Sequence, residues 1–227
     1  MIRILLINSI ISVMLFAQDT TSMNFGFKGG FNLSYISGNN ENSGKLNEDH
    51  SKLGYNFGII LDKRYSAESA FQVELLYSNI GSKWGKPFFS LKAYDGNYVI
   101  YELQYISLSA YLKLKSKIGK LFKDFDFVIG ASYSYNLKAR QKWIVEYYDY
   151  DFDSGPSDIR NDINHHEIGL IGGVKFPFGN RKYYLNILFY HAISTLYKEK
   201  YKYYKDDFNT KENMRNNTFS ISMDVFL

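Results

Sequence analysis

Eight segments of this 227-residue chain alternate polar and apolar side chains with a period of two, and that repetition constrains the fold more than any other feature. The last segment is the clearest. From Thr218 to the C-terminus, Phe219, Ile221, Met223, Val225 and Leu227 alternate with Thr218, Ser220, Ser222 and Asp224. Successive side chains of a strand point to opposite faces, so this segment has one continuous apolar face. A strand of about ten residues with such a face can cross a bilayer at a tilt of roughly 45°.

The other segments repeat the pattern. Phe25, Phe27, Phe31, Leu33 and Tyr35 stand against Asn24, Lys28, Asn32 and Ser34; Tyr55, Phe57, Ile59 and Leu61 against Asn56, Gly58 and Asp62. A third segment sets Phe71, Val73, Leu75 and Tyr77 against Gln72, Glu74 and Ser78. The fifth sets Phe125, Phe127, Ile129, Ala131, Tyr133 and Tyr135 against Asp126, Gly130, Ser132, Ser134 and Asn136. Segments at Val99–Lys115, Glu167–Phe178 and Tyr183–Leu196 are less regular, and the first of these switches phase near Gln104 and Tyr105, where a bulge would restore register. The expected fold is all-β: an eight-stranded, antiparallel, up-and-down transmembrane barrel of the outer-membrane type.

Connection lengths agree with that topology. Residues 37–53, 82–97, 139–164 and 198–216 are long and polar, whereas 64–69, 116–123 and 179–182 are short. An even-stranded barrel with both termini on the periplasmic side begins with a long outer loop and then alternates. Tyr and Phe are abundant, 21 and 18 residues, which suits aromatic girdles at the two interfaces. The three prolines, Pro87, Pro156 and Pro177, fall in loops or at a strand end, where no ladder hydrogen bond is lost.

The N-terminus supplies an export route. Arg3 precedes an apolar run from Ile4 to Phe16 and then Ala17-Gln18-Asp19, as in a secretory signal peptide cleaved after Ala17. The expected organisation is a signal peptide at 1–17 and a barrel domain at 18–227, located in a Gram-negative outer membrane. With no cysteine in the chain, lipoprotein anchoring and disulfides are excluded.

Eight strands enclose a lumen that side chains just fill, which argues against a general diffusion pore. Lys28, Asp62, Glu74, Glu102, Lys113, Asp126, Lys138 and Lys175 fall on the expected inward faces or near the mouths. Charges of both signs held away from lipid should pair with one another, giving an ionic network that stiffens the barrel; an ion or proton path is the competing reading.

Three further constellations bear on chemistry. Asp149, Asp151 and Asp153 resemble the opening of a calcium loop, but Ser154 and Arg160 stand where Gly and Glu are needed, so Tyr147 to Asp153 reads better as a loop or projecting hairpin. His165 and His166 are adjacent, so on a strand they face opposite ways and share no metal. His191 and Ser194 are three apart, on opposite faces, with no third orienting residue, which argues against a hydrolytic pair. No cofactor and no enzyme activity are expected. The formal net charge of +4 does not imply nucleic acid. The cluster Lys198, Lys200, Lys202, Lys205, Lys211 and Arg215 in the last loop reads as a solvated surface or a contact for lipopolysaccharide phosphates.

The opening Gly26-Phe27-Lys28-Gly29-Gly30-Phe31-Asn32, the fourth-segment Tyr105-Ile106-Ser107-Leu108 and the final Phe226-Leu227 resemble the PorT-like outer-membrane β-barrel proteins, often described as a porin family. Ser109 stands where that family often carries a proline. The resemblance implies the barrel fold and, for PorT itself, a part in type IX secretion. The terminal Phe219, Ile221, Met223, Val225, Phe226 and Leu227 are similar to the signal read by the barrel-assembly machinery. The expected partners are outer-membrane lipids and lipopolysaccharide, that machinery during insertion, and other envelope proteins. The favoured function is surface interaction or a part in an envelope or secretion assembly, with a narrow channel second and a lipid-modifying enzyme third.

Overall fold

The structure is a computed structural model that describes residues 23–37, 48–85, 96–116, 125–147, 150–178, 181–197 and 214–227. The predicted signal segment and most of the last loop, with five of its six clustered basic residues, lie outside the described residues. Among the described residues there are nine strands: β1 (Met23–Ser37), β2 (Glu48–Arg64), β3 (Ser69–Gly85), β4 (Gly96–Ser116), β5 (Phe125–Tyr147), β6 (Tyr150–Asp158), β7 (His166–Phe178), β8 (Tyr183–Ala192) and β9 (Arg215–Phe226). Eight of them form a closed antiparallel barrel. Each is paired with its neighbours, β4 joins β5, β5 joins β7, and β1 joins β9 to close the cylinder. Closure leaves no unpaired strand edge at membrane depth, which a spanning sheet requires.

The ninth strand, β6, belongs to a hairpin rather than to the wall. It folds back on the distal half of β5, with Arg140 opposite Asp158 and Tyr147 opposite Tyr150. The projecting hairpin read from Tyr147–Asp153 is therefore present, extended to Asp158. Strands also run further into the long connections than alternation indicated: β2 begins at Glu48 and β3 continues to Gly85. The seventh predicted segment is shorter, because β8 ends at Ala192 and the chain then turns inward, burying Leu196 and Tyr197.

Apolar and polar surfaces are reversed relative to a water-soluble domain. Phe31 and Ile129 are 66% exposed on the outer face, and Phe57, Ile168, Leu170, Ile221 and Met223 also lie exposed there. Gln72, Lys175 and Asp224 are fully buried inside. That distribution is what lipid outside and a side-chain-filled lumen inside demand.

The expected irregularity near Gln104 is real, but its cause differs from the one read from sequence. Gln104 pairs with Lys138 and Tyr105 with Asn136, so the extra residue is Leu137, on β5. On β4 the odd-numbered residues stay buried or half-buried from Val99 to Lys113. What changes at Tyr105 is the chemistry of the inward face, from Val99, Tyr101 and Leu103 to Ser107, Ser109 and Lys113. An apolar inward stretch looked like a change of phase.

Candidate functional site in the lumen

The lumen is organised in layers along the barrel axis. Near the end that carries the termini, Lys28 on β1, Glu74 on β3, Lys175 on β7 and Asp224 on β9 form one ionic cluster. Lys28 Nζ lies 2.8 and 2.9 Å from the two Glu74 oxygens and 4.0 Å from Asp224. Lys175 Nζ lies 2.9 Å from Asp224 Oδ2 and 3.5 Å from Glu74 Oε1. Gln72 Nε2 donates to Glu74 (2.8 Å) and Asp224 (3.2 Å), and Asn186 Nδ2 donates to the other Asp224 oxygen at 2.7 Å. Buried charges persist only when paired and hydrogen-bonded, and this set meets both conditions.

Tyr111 of β4 occupies the middle of the cluster, with Lys175 Nζ 4.8 Å and Lys28 Nζ 5.9 Å from its ring centre. Its ladder partner is Gly130, where an added Cβ would fall 2.5 Å from the Tyr111 Cβ. The glycine is what lets so bulky a ring enter the narrow interior. Closer to the mouth, Lys113 pairs with Asp62 and sits 5.0 Å over the Tyr184 ring and 5.8 Å over Phe226. Asp126 stands opposite Lys115 and Lys175 in the flanking ladders. Every wall strand contributes to these two tiers.

Above the cluster lies a cavity of about 90 Å³, lined by Ser78, Ser107, Ser109, Ser132 and Ser220 together with Leu76, Ile80, Ile171 and Leu188, and floored by Lys28 and Glu74. At ~10–15 Å³ per water it has room for several molecules. Asn56 Oδ1 and Thr218 Oγ1, both on cavity-lining residues, are buried without a protein partner and suit such waters. On the far side, Glu167 accepts hydrogen bonds from Tyr190 Oη (2.7 Å), Tyr105 Oη (3.3 Å) and Asn216 Nδ2. Tyr190 reaches it by lying flat over Gly169, where an added Cβ would come 2.3 Å from the ring.

An apolar cap closes the end that carries the long connections. Ile36, Ile80, Tyr101, Leu103, Ile163, Leu196, Tyr197 and Met214 pack into one buried cluster. Tyr197 Oη donates to Tyr101 Oη at 3.3 Å, and burial pushes the Tyr197 hydroxyl above its ordinary range.

Six of the eight charges read as inward or near the mouths, Lys28, Asp62, Glu74, Lys113, Asp126 and Lys175, are buried in this interior. Two are not. Glu102 lies on the outer side of β4, half exposed and 3.2 Å from Lys52. Lys138 sits just past the Leu137 bulge, which turns it to the outer side opposite Gln104. Four members were missed: Gln72, Asn186 and Asp224 in the ionic cluster, and Glu167 above it. Asp224 and Glu167 were readable as polar positions on otherwise apolar strands, but their partners come from strands remote in sequence.

The remaining candidates carry no constellation. Asp149 lies outside the described residues; Asp151 pairs with Glu146 in the β5–β6 ladder. Asp153 is bound 2.5 Å from Lys142 Nζ, and that bond, followed by the Gly155 amide, holds its carboxyl below the ordinary range. Among the described residues no three His, Asp or Glu side chains gather as metal ligands. His166 Nδ1 lies 2.5 Å from Tyr133 Oη, and His165 Nε2 lies 3.0 Å from the Arg160 carbonyl. His191 Nδ1 meets Asn217 Oδ1 at 2.6 Å, whereas Ser194 Oγ accepts the Ile168 amide at 3.0 Å, so the two are not partners.

In comparison with known structures, the chain is similar to Neisserial surface protein A (NspA), at 14% identity over 91% of this chain and 99% of that one, with a TM-score of 0.46. It is likewise similar to Ail, the attachment invasion locus protein of Yersinia pestis (8%, 91% and 99%, 0.44). A third is OprG from Pseudomonas aeruginosa (10%, 91% and 97%, 0.41). No curated protein sequence matches the chain. A model of the outer membrane protein beta-barrel domain matches residues 16–198, and the chain belongs to that outer-membrane family.

Proposed function

We propose that this protein is a non-enzymatic outer-membrane barrel that acts through its long-loop end, in surface contact or within an envelope or secretion assembly. The observation that carries the reading is the double closure of the lumen: the Lys28–Glu74–Lys175–Asp224 cluster at one level and the Leu103–Leu196–Tyr197–Met214 cap at another. A filled interior leaves the wall as a scaffold and the loop end as the working surface. The separate engagements of His191 and Ser194 favour the absence of hydrolytic chemistry. The PorT-like resemblance makes a secretion assembly a specific candidate.

Purified protein in a planar bilayer is expected to give little or no stable conductance. Large, reproducible steps would overturn the reading. A narrow channel is the second reading, favoured by the cavity between the two closures. In a conducting lumen, Glu74→Gln shifts ion selectivity; in a structural one it lowers stability alone. Copurification from outer membranes then separates an assembly role, which yields a stable partner, from surface contact, which does not.

A further inference from the structure

The two ends of the barrel differ sharply in charge. The four long connections, 37–53, 82–97, 139–164 and 198–216, hold 14 basic and 14 acidic residues; the three short ones, 64–69, 116–123 and 179–182, hold six basic and one acidic. Among the described residues at this end, Lys63, Arg64, Lys115, Arg181 and Lys182 stand against Glu68 and Asp126.

We infer that this cationic rim binds the phosphates of anionic phospholipids in the leaflet that meets the turn end. Depth is the first reason. Arg64 precedes Tyr65, Lys115 follows Leu114 and Lys182 precedes Tyr183, and these three neighbours are exposed on the outer face; Lys63 is buried, with its Nζ 5.6 Å from the Tyr65 ring centre. Tyr65–Glu68 is the whole connection between β2 and β3, and residues 179–182 the whole one between β7 and β8. Such turns end at headgroup level and cannot reach far beyond it.

Convergence is the second reason. Arg64, Lys115 and Arg181 line one small groove at the barrel mouth, together with Glu68 and Asp126. The turn is locked over it: Ser66 Oγ accepts the amides of Glu68 and Ser69, and the Lys115 amide donates to the Glu68 carbonyl at 2.8 Å. Arg181 is held at φ 65°, in the left-handed region that favours glycine, and lines the same groove as Arg64 and Lys115. Guanidinium groups suit phosphate oxygens. Basic residues beside an anionic surface attract it over about a Debye length. The proposal rests on the family and the charge map, not on what the loop end contacts.

The test is spin-label resonance on the full chain, reconstituted in phosphatidylcholine vesicles with trace spin-labelled phosphatidylglycerol or phosphatidylcholine. The expected result is selective immobilisation of phosphatidylglycerol, weakening as salt is raised. Each of Arg64→Gln and Arg181→Gln lowers the preference by up to about fivefold, while Arg140→Gln, at the opposite end, leaves it unchanged. Equal immobilisation of the two lipids overturns the proposal, as does a preference insensitive to salt in the unaltered protein, a measurement that needs no variant to fold. Loss of preference in Arg140→Gln alone would also overturn it, by placing the lipid at the other end.

Discussion

Lys28 and Glu74 meet at 2.8 Å inside the barrel although a whole strand, β2, separates them. The β2 residue opposite Lys28 is Gly58, which adds no side chain beside it. This pair spans non-adjacent strands and ties separate parts of the wall together.

Changes to members of that cluster should not add. Asp224→Asn leaves Lys175 with Glu74 at 3.5 Å as its remaining ion-pair partner, and is expected to destabilise the barrel by about 3–5 kcal/mol in urea unfolding from lipid vesicles. Lys28→Met combined with Glu74→Gln should cost less than the sum of the single changes. Strict additivity would count against a coupled network.

The wall can be tested at one level from both sides. Met223 is exposed on the outer face and Ser222 buried on the inner one. Met223→Arg is expected to cost about 2–4 kcal/mol near mid-membrane. Ser222→Arg should act differently, by crowding Asn186 and Asp224. Equal, negligible effects in a folding assay would contradict a spanning strand.

Orientation follows from connection length. The chain lacks cysteine, so single cysteines report cleanly. Asp153→Cys should be labelled by an impermeant thiol reagent on intact cells, and Ser66→Cys should be labelled only after the envelope is opened. The reverse pattern would invert the barrel.

The β5–β6 hairpin carries its own pH signature. Asp153 is held below the ordinary carboxylate range by Lys142, so its contribution is present above the unfolded-state value and is lost as pH falls through the folded one. A carbon-13 titration should find the low value, and Lys142→Met should return it toward normal. Because the pair is exposed, barrel stability should hardly change.

Much of the wall was legible because a lipid-facing strand must be apolar at every second residue, and Phe219 to Leu227 or Phe25 to Leu33 admit no other pattern. The cap was not, since Tyr101 and Leu103 are apolar on an inward face where polar residues were expected. Lys138 was misplaced because a single extra residue, Leu137, reverses every side chain beyond it. Glu167 was overlooked for another reason: Tyr105, Tyr190 and Asn216 converge on it from three other strands, and no local spacing encodes that meeting.

The β1–β9 seam gives the cluster a temporal meaning. Lys28 lies directly opposite Asp224 there, and Asp224 arrives on the last strand of the chain. Until that strand docks on β1, Lys28 lacks the carboxylate that faces it across the seam. Zipping the final ladder therefore also completes the ionic cluster, and an unclosed intermediate carries one interior charge contact fewer.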